Sequence, residues 1–172
     1  MTAEKQVVKD CIIPIDRYPH LRDSQTLSDA VQILLSYTCG NEGRLQYGGV
    51  LIINESNQLT GCLNLQTILR ALDRRLADSP GGFEGKDGKY PDLAFLWEES
   101  FFRKCSEKHD IPIKDFMISS NTIVKGSDPL LKALSIMLHN NEIFLPVSED
   151  GNIIGVIRLE EIFTAICSAC RL

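Results

Sequence analysis

Apolar residues fall along the chain in two matching series. In the first, Leu27, Ala30, Val31 and Leu34 recur at helical spacing, and in the second Leu130, Ala133, Leu134 and Met137 do the same. Each series predicts a helix with one buried face. The residues that start these helices also match, since Ser24 to Val31 aligns with Ser127 to Leu134. In the second copy Asp128 is placed as the N-cap and Pro129 at the first helical position, where its missing N–H costs nothing. Ahead of the helices, Val8-Lys9-Asp10-Cys11-Ile12 matches Ile113-Lys114-Asp115-Phe116-Met117, and both predict a leading strand. Behind them comes a hairpin. Leu51-Ile52-Ile53, a turn around Glu55-Ser56-Asn57, and Leu59 to Leu63 pair with Leu145-Pro146-Val147, Glu149-Asp150-Gly151, and Ile153 to Ile157. Asp150-Gly151 is a strong tight-turn signal, because a primed turn needs the positive φ that glycine tolerates. Gly61 and Gly155 then lead into last helices over Leu65–Arg75 and Leu159–Cys170. Each copy reads β-α-β-β-α, and the chain as a whole is predicted to be an α/β (α+β) fold of two such units.

The spacing between copies locates the insertions. Ala30 and Ala133 are 103 positions apart but Gly61 and Gly155 only 94, so copy one carries nine extra residues (103 − 94), placed near 38–48. The division that follows is a first unit over 1–75, an inserted segment over 76–110 and a second unit over 111–172. The insert opens with a Gly-, Pro- and charge-rich stretch from Asp78 to Lys89, which predicts a loop. From Asp92 to Cys105, Leu93, Leu96, Trp97 and Phe101 follow a helical pattern that Phe95 and Phe102 widen. This aromatic helix either extends the core over a sheet or offers a contact surface to another protein, where aromatics are enriched.

Composition narrows the function classes. Hydrophobic residues make up 44% and charged ones 24%, which predicts an ordinary globular protein. A net charge of −5 with no basic stripe argues against nucleic acid. No apolar run is long enough for a signal peptide or a membrane span, so a cytoplasmic location is expected. Cys11, Cys39, Cys62 and Cys105 lack metal-ligand spacing. Cys167 and Cys170 form a C-x-x-C pair, but they close a helix rather than open one, and no second pair completes a zinc site. His20, His109 and His139 are scattered, and no nucleophile elbow or P-loop occurs. The chain is expected not to be an enzyme.

The repeated order, with Leu145-Pro146-Val147 ahead of an acidic Gly turn and Gly155-Val156-Ile157-Arg158-Leu159-Glu160-Glu161-Ile162 after it, resembles the CBS domain family. That resemblance implies two units packed sheet to sheet in pseudo-twofold arrangement, with clefts between them that commonly hold AMP, ATP or S-adenosylmethionine. It implies a regulatory, ligand-sensing module that needs no cofactor for chemistry. In the family, the last strand is followed by Gly, two apolar residues, Ser or Thr, two residues and Asp. The hydroxyl and helix start receive phosphate or ribose oxygen, and the carboxylate accepts from the ribose hydroxyls.

Both copies depart from that signature. Copy two has Arg158 and Glu161, which keeps a carboxylate and adds a guanidinium suited to phosphate. By family topology these face His20 and Gly48, forming the favoured cleft. Copy one has Asn64 and Thr67, facing Thr122 and Glu142 in a weaker cleft. Each residue also has a simpler reading. Asn64 is a good helix cap, Glu161 sits where a helix dipole favours acids, Arg158 suits a surface ion pair, and Pro146 suits an edge strand or bulge. A rival to ligand sensing is a dimerisation or protein-interaction module with empty, degenerate clefts. Apolar outer faces on Leu65–Leu72 and Leu159–Ile166 predict a homodimer, and a regulated partner protein is expected at the 92–105 helix.

Overall fold

In a computed structural model, which describes residues 6–72, 98–119 and 122–170, the two repeats exchange their leading segments. Val8–Asp10 and Ile113–Asp115 are single 3₁₀ turns, not the strands expected over Val8 to Ile12 and Ile113 to Met117. The physical reason is that each segment enters the other repeat. Val8 N donates to Asp128 O and Lys9 N to Gly126 O, while Ile113 N donates to Gln25 O. Val8 is fully buried in the core of copy two, and Ile113 in that of copy one. Burying an aliphatic side chain of this size contributes about 1.5–3 kcal/mol. The exchange therefore ties the two copies into one folding unit.

In chain order the strands are β1 (Ile13–Pro14), β2 (His20–Arg22), β3 (Thr38–Cys39), β4 (Arg44–Leu45), β5 (Gly49–Ile53), β6 (Leu59–Asn64), β7 (Val124–Lys125), β8 (Phe144–Glu149) and β9 (Asn152–Arg158). The helices are α1 (Leu27–Ser36), α2 (Leu65–Leu72), α3 (Glu98–Ser106), α4 (Leu130–Asn140) and α5 (Leu159–Cys170). Copy one forms a sheet in the order β2-β5-β6, and copy two contributes β9-β8-β7 with β1 of copy one added at its edge. The reciprocal addition is a bridge from Ile118 to Cys62 on β6. A third cluster, with Tyr18, Tyr47, Leu51, Ile153 and Val156 buried, joins residues of both sheets.

The helices form where the apolar spacing placed them. Leu27, Ala30 and Leu34 of α1 and Leu130, Ala133 and Met137 of α4 are buried. Thr26 caps α1 in a box with Asp29, whose carboxylate accepts from Thr26 N at 2.9 Å. Helix α4 begins one residue later than expected. Pro129 is its N-cap, while the Asp128 carboxylate accepts from Lys125 N and pairs with Lys132, both at 2.9 Å.

The hairpins match with one correction. Gly61 stands opposite Ile52 and Gly155 opposite Val147, so the counterpart of Leu145-Pro146-Val147 is Val50-Leu51-Ile52, not Leu51-Ile52-Ile53. Since Ile52 and Val147 are 95 apart, eight of the extra residues (103 − 95) precede the hairpin and one lengthens its turn. Those eight build the β3–β4 hairpin. The Asp150-Gly151 turn has φ of +50° and +83°, as a primed turn requires.

Of the aromatic helix expected over 92–105, α3 covers the C-terminal part and extends to Ser106. Phe95 and Trp97 lie outside the described residues, and Phe102 is exposed. No helix among the described residues is long and apolar enough to cross a membrane.

Candidate functional site

The two last helices are anchored in the same way. Leu65 N at the start of α2 donates to Gly48 O, and Leu159 N at the start of α5 donates to Ile143 O. Each anchor holds a helix start against the approach to its own hairpin. Between the two approaches lies a cleft of about 280 Å³. Copy one supplies Tyr47, Gly48, Gly49 and Leu65, copy two supplies Ile143, Phe144, Arg158 and Glu160, and Leu45 and Gln46 from the inserted segment form a lip. Glycine at 49 is required by the close approach of the copies, because a Cβ there would stand 2.7 Å from the Phe144 ring and 3.0 Å from Tyr18 Oη.

Arg158 dominates the chemistry of this cleft. Its guanidinium clasps Glu161 with two bonds, Nε to Oε2 at 2.8 Å and Nη2 to Oε1. Its Nη1 reaches Gln46 O at 3.4 Å, and its carbon Cζ stands 5.2 Å from the centre of the Tyr47 ring. Hydrogen bonding to Glu161 pushes the Arg158 pKa up against the opposing effect of burial, so the group is always charged. Tyr47 in turn packs on Tyr18, with ring centres 4.9 Å apart, and on Tyr37 at 5.4 Å. Burial pushes both Tyr18 and Tyr47 above the ordinary phenol range, so neither ionises near neutrality.

Arg158 and Gly48 of the favoured set therefore meet at one cleft, with Glu161 held behind the guanidinium. His20 is turned to its own segment, where Nδ1 stands 2.9 Å from Tyr18 O, and it is not among the residues lining the cleft. Asn64 and Thr67 satisfy one another, for Asn64 Oδ1 accepts from Thr67 N at 2.8 Å and from Thr67 Oγ1 at 2.7 Å. That is helix capping. Thr122 Oγ1 donates to Glu142 Oε1 at 3.3 Å, and the buried Glu142 Oε2 has no hydrogen-bond partner among the described residues. Burial and then the Glu142 charge push the Cys62 thiol up.

Tyr47, Tyr18 and Phe144 escaped the sequence reading. The one available signal was that Tyr37 and Tyr47 bracket the inserted hairpin, so that their edge-to-face contact closes it at its base.

Residues 113–168 match the family model of the CBS domain. The match places a CBS domain on the second repeat of the chain. The CBS-pair fold extends over both repeats. CBSX2 from Arabidopsis thaliana, a CBS-pair protein, superposes with a TM-score of 0.66 at 20% identity, over 96% of this chain and 97% of that one. A crystal structure of CBSX2 in complex with AMP gives 0.65 at 20% identity over 96% and 98%. A putative acetoin utilization protein, AcuB, from Vibrio cholerae gives 0.66 at 16% identity over 97% and 94%. No curated protein matches the sequence. Within the CBS frame, the exchange of leading segments explains why both repeats keep a glycine at 61 and 155. A Cβ at Gly61 would stand 2.8 Å from Ile118 O, and one at Gly155 only 2.3 Å from Ile13 O. Among the described residues no His, Cys, Asp or Glu cluster suited to a metal ion occurs.

Proposed function

We propose that the chain is a non-catalytic regulatory module that binds an adenosine-containing nucleotide in the cleft between its two CBS units. The observation that carries this reading is Arg158. A permanently charged guanidinium lines a cleft whose other side chains are mostly aromatic and aliphatic, with Gln46 and the exposed Glu160 beside them, which suits a ligand with a flat apolar base and an anionic end. Leu65, Ile143 and Phe144 supply the apolar side, and Arg158 the anionic one. A fold neighbour solved in complex with AMP supports the choice of ligand class. At about 280 Å³ the cleft is just below the range of most ligand sites, about 300 to 1,000 Å³. A nucleoside monophosphate fits that size better than a triphosphate. Binding across the cleft would fix the angle between the two units, and a partner protein would read that angle.

The test is a thermal-shift panel of AMP, ADP, ATP, S-adenosylmethionine, NAD and GMP. One adenine nucleotide should raise the midpoint saturably, with about 2.7 kcal/mol of stabilisation at a hundred times its dissociation constant. No shift with any of them would remove this reading.

A second reading, assembly as a homodimer, is favoured by a specific observation. Leu69 on α2 and Phe163 on α5 occupy equivalent positions in the two repeats, 94 apart, and are 52% and 67% exposed. Two apolar residues related by the internal pseudo-twofold suit a partner with the same symmetry, which a second copy supplies. Light scattering should show a mass of two chains, reduced to one by Phe163→Asp. A wild-type monomer at high micromolar concentration would remove the dimer.

A further inference from the structure

The clasp between Arg158 and Glu161 changes what the cleft can read. A guanidinium has five N–H donors. Nε and one Nη2 hydrogen go to Glu161 and one Nη1 hydrogen points at Gln46 O. Two hydrogens remain, one on each Nη, and a tetrahedral anion accepts from guanidinium donors of this kind. Each Glu161 oxygen is meanwhile committed to Arg158, and both side chains are only about a fifth exposed, at 22% and 23%. Each oxygen keeps a further lone pair, but Glu161 is not among the residues lining the cleft, so reaching a sugar diol there would mean turning away from a partly buried cation that it holds with two hydrogen bonds. Glu160, the other acid in that turn, lines the cleft, is 67% exposed and stands 3.9 Å from Arg158 Nε, too far for a hydrogen bond, so that contact does not fix its carboxylate for a sugar.

We propose that Glu161 is a positioning residue for Arg158, not a sugar ligand, and that this cleft recognises a nucleotide by its phosphate while leaving the ribose hydroxyls unread. The inference rests on the nucleotide-binding reading and adds a specificity to it. The monophosphate of adenosine is accepted whether the sugar is ribose or 2′-deoxyribose. Adenosine is disfavoured for want of an anion.

Calorimetric titration of AMP, 2′-deoxy-AMP and adenosine into the full chain tests this without any substitution. AMP and 2′-deoxy-AMP should bind within about threefold of each other, with adenosine at least about tenfold weaker, the loss expected for one charged hydrogen-bonded contact. Glu161→Gln should then weaken AMP and 2′-deoxy-AMP by the same factor, and should add nothing in an Arg158→Ala background, as coupling through one residue requires. The inference is overturned if 2′-deoxy-AMP binds about tenfold or more weakly than AMP in the wild type, and the more so if Glu161→Gln closes that gap, because Glu161 then holds the ribose. A wild-type chain that binds none of the three overturns the underlying nucleotide reading, which is a different result.

Discussion

Replacing Gly155 by alanine should destabilise the fold severely, although the same change in an unobstructed strand is mild or favourable. Gly155 lies in β9 between Val147 of β8 and Pro14 of β1. Its missing Cβ would stand 2.3 Å from Ile13 O and 3.1 Å from Ile13 C, so the obstacle is backbone and no rotamer change relieves it. An unhindered Gly→Ala change stabilises by about 0.4–1 kcal/mol through the unfolded chain, which sets the baseline to be overcome. Overpacking costs about 1–3 kcal/mol, and pushing β1 off β9 forfeits backbone hydrogen bonds at about 1 kcal/mol each, for about 3–5 kcal/mol in all. At Gly61 the backbone clash is milder, 2.8 Å to Ile118 O, and the next neighbour is the flexible Met117 sulfur at 3.0 Å. The cost there should be about 1–3 kcal/mol. Equilibrium urea unfolding followed by circular dichroism measures both. A Gly155→Ala chain as stable as wild type, or one more stable than Gly61→Ala, would refute the exchange of leading segments as the reason for these glycines.

Ile113→Ala, which empties a fully buried site contributed by copy two to the core of copy one, should cost about 2–5 kcal/mol and lower the urea midpoint of the whole chain in one transition. Two separate transitions would show that the copies fold independently. Asp128→Ala should cost about 0.5–2 kcal/mol, by removing the acceptor for Lys125 N and the partner of Lys132 at the start of α4. The Lys132 hydrogen bond holds the Asp128 carboxyl below its ordinary pKa, so its contribution is fully present above the ordinary aspartate range and is lost as pH falls through the lowered value. The stability gap between wild type and Asp128→Ala should accordingly close in acid; a gap that is constant from pH 7 down to pH 2 would contradict this assignment.

Helical spacing made the two repeats legible, because Leu27, Ala30 and Leu34 and their counterparts each need one buried face and little else sets their pattern. The Asp150-Gly151 turn was legible for an equally local reason. The leading segments were not. Val8 and Ile113 carry the right apolar residues for strands, but their conformation is set by carbonyls in the other repeat, which no local pattern encodes. The one-residue slip in the first hairpin has the same origin, since register there is fixed across the sheet by Gly61 against Ile52. At the cleft, the pairing of Arg158 with Gly48 came from the family resemblance, while His20, expected beside them, does not line it. That Glu161 would turn to Arg158 depended on side-chain geometry, and the part played by Tyr47 depended on a hairpin present in only one copy.

The most direct test of the nucleotide-binding account is calorimetric titration of AMP into the wild-type chain and into Arg158→Ala. The account predicts saturable binding to the wild type, weakened about tenfold to a hundredfold by the substitution, as expected for losing a charged contact worth about 1.5–3 kcal/mol. Binding that is unchanged in Arg158→Ala, or a wild-type chain that takes up no AMP at millimolar concentration, would contradict it.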